Sequence, residues 1–133
     1  MEQGSAMIDV QDLTDPQANR LAALAQEWTA ENVTSNVGDN RESFPCWRTH
    51  KGIEPVGNYT PTTNGQQAMD LLKKYNIYLE PFWITSNNIP WIALCEKATE
   101  IDWQEADTPE RAITLAVIAS KWGTEIDEEL LNG

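Results

Sequence analysis

The sequence predicts an α+β fold: a small antiparallel β-sheet, made of a hairpin and a third strand, sandwiched between α-helices. Three observations predict it. Two capped helical patterns, near residues 64–76 and 108–123, bracket a run at 77–95 that is rich in β-branched and aromatic residues. A further apolar stripe at helical spacing lies near the N-terminus. A hairpin alone is marginal in water, so helices on its faces are the natural way to bury it. The 133 residues suit one domain with one core, spanning 1–133.

Residues 1–7 are small and polar, and residues 1–10 are expected to fray. Asp15 can cap a helix with Pro16 at its first position. Leu21, Leu24, Ala25 and Trp28 then share one face, which predicts a helix from about Pro16 to Glu31. Residues 33–63 carry Pro45, Pro55, Pro61, Gly38, Gly52 and Gly57, which interrupt any long element. They predict a long irregular insertion anchored by Phe44, Trp47, Ile53, Val56 and Tyr59, with one short strand near Trp47–Thr49. A loop of that length often carries function.

The second helix opens at Thr63 or Asn64 and buries Ala68, Leu71, Leu72 and Tyr75. Lys73 and Lys74 suit the negative end of its dipole, and it stops near Asn76. The strand Ile77–Ile84, a turn at Thr85–Asn88 and the strand Ile89–Cys95 form the hairpin, with Pro81 at an edge or bulge. A third strand is expected around Thr99–Trp103. Thr108 caps the last helix, Pro109 and Glu110 fill its first turn, and Ala112–Trp122 is apolar almost all round, as in a buried helix. Gly123 ends it. Ile126, Leu130 and Leu131 can dock the acidic tail.

Composition narrows the function classes. An apolar content of 41% with six Trp excludes a wholly disordered chain. No apolar run approaches the roughly 20 residues of a membrane span, and the N-terminus lacks a secretory pattern. Cys46 and Cys95 stand apart, outside any CxxC pair, which predicts free thiols in a reducing, cytoplasmic setting.

The net charge of −12 is uneven. Residues 1–35 carry six acids and one base, residues 36–95 five of each, and residues 96–133 ten acids and three bases. Acidic ends repel nucleic acid, anionic lipid and free phosphate ligands at long range, and favour a protein partner with a basic surface.

No catalytic constellation is visible. His50 has no nearby carboxylate to orient it, and Cys46 has no base placed by spacing. Two Cys and one His fall short of a zinc site, and the acids at 102–110 lack EF-hand spacing, so no metal or cofactor is expected. Two binding surfaces remain. Trp47 and Trp103 lie in irregular segments and, with Asp102, Glu105 and Asp107, form the candidate protein-recognition surface. Alternatively Arg41, Arg48, Lys51 and Tyr59 line a ligand site in the 33–63 segment, within the charge-balanced stretch 36–95 that holds five of the nine Lys and Arg.

From Tyr59 to Leu131 the chain resembles the phage αβα sandwich family, the NinX-type small proteins of tailed phages and prophages. The resemblance rests on Tyr59–Asn64 opening a helix to Leu72, on Ile77–Pro81 followed by Trp91-Ile92-Ala93, and on Thr108–Ile113 with Val117–Ile126. Leu13-Thr14 ahead of the stripe ending at Trp28 is also similar. Residues 33–58 depart from the shorter linker expected of the family. The resemblance implies the fold, a phage or prophage origin and the host cytoplasm, and carries over no activity or functional residue. Together these readings predict a small acidic phage accessory protein that binds stoichiometrically and inhibits a host defence or nucleic-acid-handling protein. The alternative is a protein that sequesters a signalling nucleotide. An edge strand at Pro81 and the apolar face of the first helix also allow a homo-oligomer.

Overall fold

A computed structural model of the protein describes residues 6–37, 40–81, 91–95 and 103–132. The α+β class is as the sequence predicts, with helices and three small antiparallel sheets. Among the described residues no helix is long and apolar enough to cross a membrane.

The start of the chain is built in. Strand β1 (Met7–Asp9) pairs with β8 (Glu125–Asp127), and a 3-10 turn (Val10–Asp12) follows it. The expected fraying of residues 1–10 is therefore corrected from Met7 onward: Val10 and Ile126 are fully buried against Leu13, Leu21, Leu115 and Ile118.

Helix α1 (Asp15–Ala25) is capped by Thr14 rather than Asp15. Thr14 Oγ1 accepts from the Gln17 amide, and the Gln17 side chain accepts from the Thr14 amide, a reciprocal capping box. The helix stops at Ala25, six residues before the expected end. Glu27 takes the left-handed conformation at φ 66°. Its amide donates to Leu24 O and the Trp28 amide donates to Ala23 O, the paired bonds of a Schellman stop.

The expected irregular insertion is a three-stranded meander. β2 (Thr29–Val37) pairs with β3 (Asn40–Thr49), and β3 with β4 (Gly52–Pro55). The short strand expected near Trp47–Thr49 is the end of ten-residue β3. Pro45 is tolerated because it lies beyond β4, where β3 has a neighbour on one side only, and Pro55 ends the edge strand.

Helix α2 (Gly65–Tyr75) starts at the Asn64 cap and ends on Asn76 in the left-handed region, as expected. β5 (Ile77–Pro81), β6 (Trp91–Cys95) and β7 (Gln104–Ala106) form the C-terminal sheet. The third strand thus starts one residue beyond the expected Thr99–Trp103 span. The expected turn Thr85–Asn88 and residues 99–102 lie outside the described residues, as do Phe82–Ile84 and Ile89–Pro90 of the expected strands.

Helix α3 (Pro109–Trp122) is capped by Thr108 and closed by Gly123 at φ 88°. It is buried from Ala112 to Ile118 and lies at the centre of the molecule, against α1, α2 and the C-terminal sheet. The sheet face bearing Ile77, Leu79, Trp91, Ala93, Cys95 and Ala106 joins α3 in the core. A final turn, α4 (Glu129–Asn132), follows β8. Arg111 on α3 donates to Asp15 Oδ1 at 2.7 Å and to Leu13 O at 2.6 Å, which ties the entry of α1 to α3.

Candidate functional site

The cleft that stands out lies between the β3–β4 turn and α2. It is an open groove of about 910 Å³. Each wall has a local cause. On one side the chain reverses tightly at Thr49–Gly52. Thr49 Oγ1 accepts from the Lys51 amide and donates to Gly52 O, both at 3.1 Å, and Gly52 sits at φ 138°, where a side chain is rarely accommodated. This turn presents His50 and Lys51 to the groove, with Glu54 beside them on β4. On the other side α2 presents Gln67, Asp70, Lys73 and Lys74 from positions three and four apart, which share a face.

The floor is aromatic and polar. The rings of Trp28 and Tyr59 meet at 4.6 Å between centroids, tilted by 57°. The Schellman stop at Glu27 is what turns Trp28 out of the α1 direction toward Tyr59. Gln26 donates to Tyr59 Oη at 2.7 Å and accepts from Lys74 Nζ at 3.3 Å, so the end of α1, the floor and α2 are one network. Burial of the Tyr59 phenol pushes its pKa well above the ordinary tyrosine range, against the opposing hydrogen bond from Gln26. Gln67 accepts from the Thr60 amide and donates to Asn58 O, holding the segment that leads out of the meander.

The groove carries Lys51, Lys73, Lys74 and His50 against Glu54 and Asp70. In a chain of net charge −12 this is a local gathering of cations. Two other cations are already matched: Arg48 donates twice to Glu31 at 2.8 Å, and Arg111 pairs with Asp15. The Arg48 guanidinium, bonded to the Glu31 carboxylate, holds that group below the usual carboxylate range. Among the described residues no group of three or more His, Cys, Asp or Glu is arranged to hold a metal ion.

The sequence-predicted ligand residues divide. Lys51 and Tyr59 line the groove. Arg48 does not: it alternates with Trp47 and Thr49 along β3, so it projects from the opposite sheet face, toward Glu31. Arg41 lies at the far end of β3, opposite Asn36. Sequence reasoning missed Gln26, Trp28, Gln67 and Asp70. It read Lys73 and Lys74 only as partners of the helix dipole.

The predicted recognition surface is also divided. Trp47 is 1% exposed and belongs to the core, with the Arg20 guanidinium 5.8 Å from its ring. Its place on an exposed surface is corrected: it packs in the core cluster with Ala22, Tyr59 and Leu71. Trp103 is 42% exposed, and Glu105 and Asp107 are exposed. Asp102 lies outside the described residues. Cys46 and Cys95 are both free and buried.

No protein-family model matches the chain, and no curated protein matches it either.

Proposed function

We propose that the chain is a stoichiometric binding protein whose groove takes a small anionic molecule with a planar ring, the chemistry of a nucleotide. One observation carries this reading: Lys51, Lys73 and Lys74 converge on a groove floored by the Trp28–Tyr59 pair, in an otherwise acidic molecule. A focused positive site in a negative chain selects an anion at short range, where the repulsive outer field is screened beyond about 8–10 Å at ordinary salt. The half-buried Trp28 ring, held by its contact with Tyr59, adds an apolar surface for a ring. The resemblance to phage αβα sandwich proteins supports an infected bacterial cell as the setting, where such a protein would sequester a signalling nucleotide.

Thermal unfolding against a panel of mono-, di- and cyclic nucleotides at millimolar concentration tests the reading. A ligand bound only by the folded chain stabilises it by about 2.7 kcal/mol at a hundredfold excess over Kd. At least one nucleotide should raise the Tm, and Lys51→Ala with Lys73→Ala should remove that rise while leaving the unliganded Tm near the parent's. A panel without any shift would overturn the proposal.

A further inference from the structure

The outer face of the C-terminal sheet carries a second, independent arrangement. Register places its residues in two rows across β5, β6 and β7. One row runs Glu80, Ile92, Glu105. The neighbouring row runs Tyr78, Leu94 and then Trp103, the residue just ahead of β7. All six point away from α3, because side chains alternate and Leu79, Ala93 and Gln104 between them point inward, and Ile92 between the two carboxylates is itself covered, at 7% exposed.

Tyr78 and Trp103 stand two strands apart, about 10 Å at the backbone. Their rings nevertheless close to 5.7 Å between centroids, edge to face. Both stay open to solvent, Tyr78 at 53% and Trp103 at 42%. Two large aromatics meeting over a strand without being buried are unusual for a purely structural contact, since exposed apolar area is more often placed singly. The carboxylates flank them. Glu80 Oε2 accepts from the Tyr78 hydroxyl at 2.8 Å, Glu105 is exposed on the same face, and Asp107 follows past the end of β7. Electron-rich ring faces beside carboxylates attract a cation twice over, through the ring quadrupole and through charge.

We propose that this face docks an arginine- or lysine-bearing extended segment of a partner protein, with one cationic side chain on the Tyr78–Trp103 pair and its neighbours against Glu80 and Glu105. The period of an extended segment fits: side chains two apart, about 6.6 Å, match the spacing of the aromatic row and the acidic row. The molecule's net charge of −12 steers such a segment toward it, and the local arrangement selects where it settles. None of these residues lines the lysine groove, so the proposal stands or falls apart from the ligand reading.

The test uses a fluorescently labelled peptide of alternating arginine and threonine, titrated with the full chain and read by anisotropy. Glu80→Gln with Glu105→Gln should weaken binding about tenfold or more. Glu128→Gln with Glu129→Gln removes equal charge elsewhere and should weaken it less than twofold. Trp103→Ala should also cost about tenfold, with far-UV circular dichroism unchanged. Equal losses for the two Glu pairs would overturn the proposal, because the peptide would then be reading net charge alone. Absence of binding at low salt would overturn it as well. So would a homodimer, seen by light scattering, that Trp103→Ala dissolves, since a second copy would then be the occupant.

Discussion

Tyr59 joins the core to the groove, and its burial has a consequence in alkaline solution. Its neutral phenol is 6% exposed, packed at a tilt against Trp28 and bonded to Gln26. Burial raises its pKa in the folded chain above the value near 10 of an unfolded one. Stability from keeping the phenol neutral is therefore fully present below about pH 10 and is lost as pH rises beyond it. Tyr75, also pushed up by burial, adds to the same loss. Tyr59→Phe should cost about 1 kcal/mol at pH 7 through the lost hydrogen bond, and should flatten part of the decline between pH 9 and pH 11. Urea unfolding at those three pH values measures both effects. A variant that declines as steeply as the parent would show that Tyr59 ionisation does not govern the alkaline limb. The same scale shows where sequence reasoning stops. Trp47 and Trp103 look alike in sequence, each lying in a segment without a regular apolar pattern. One is in the core and the other in solvent because tertiary packing decides it, and that packing is not visible before β3 is recognised as a strand.

At the scale of elements, capped and strongly periodic segments were legible and polar strands were not. Helices α2 and α3 follow from Asn64, Thr108, Pro109 and Gly123, whose roles are local and read directly from residue type. The β2–β3 hairpin does not. Its strands carry polar residues such as Asn32, Thr34, Glu42 and Ser43, so no apolar alternation marks them, and Pro45 argues against a strand unless one knows that β4 ends before it. The end of α1 was missed for a related reason. Glu27 gives no stop signal, because a helix usually leaves through Gly or Asn. The chain instead holds a charged residue in the left-handed region, at a cost of about 1 kcal/mol relative to glycine. Glu27→Gly should therefore stabilise the protein by about 0.5–1 kcal/mol and leave the Trp28–Tyr59 contact intact. Equilibrium unfolding by guanidinium, followed by tryptophan fluorescence, checks it. A destabilised variant would mean that the Glu27 side chain contributes more than its backbone strain removes.

For the whole molecule, the placement of α3 decides how the parts depend on one another. Two apolar clusters meet on it. Ile113, Ala116 and Val117 pack with α1, α2, Trp47, Tyr59 and the C-terminal sheet, while Leu115 and Ile118 pack with Val10, Leu21 and Ile126. Because successive residues of one helix serve different clusters, loss of either cluster strips packing from the same helix. The N-terminal strand and the C-terminal strand close the second cluster through β1 and β8, so the ends of the chain are coupled to its centre. The groove inherits this coupling, since Gln26 and Tyr59 sit on the first cluster. Leu115→Ala, which lies in the second cluster, should cost about 2–5 kcal/mol. It should lower the unfolding midpoint seen by far-UV circular dichroism and by tryptophan fluorescence equally, as one cooperative transition. Splitting of the two signals, with the fluorescence of the Trp28 and Trp47 region melting at the parent's midpoint, would show instead that the meander and the groove fold independently of the strand that joins the chain ends.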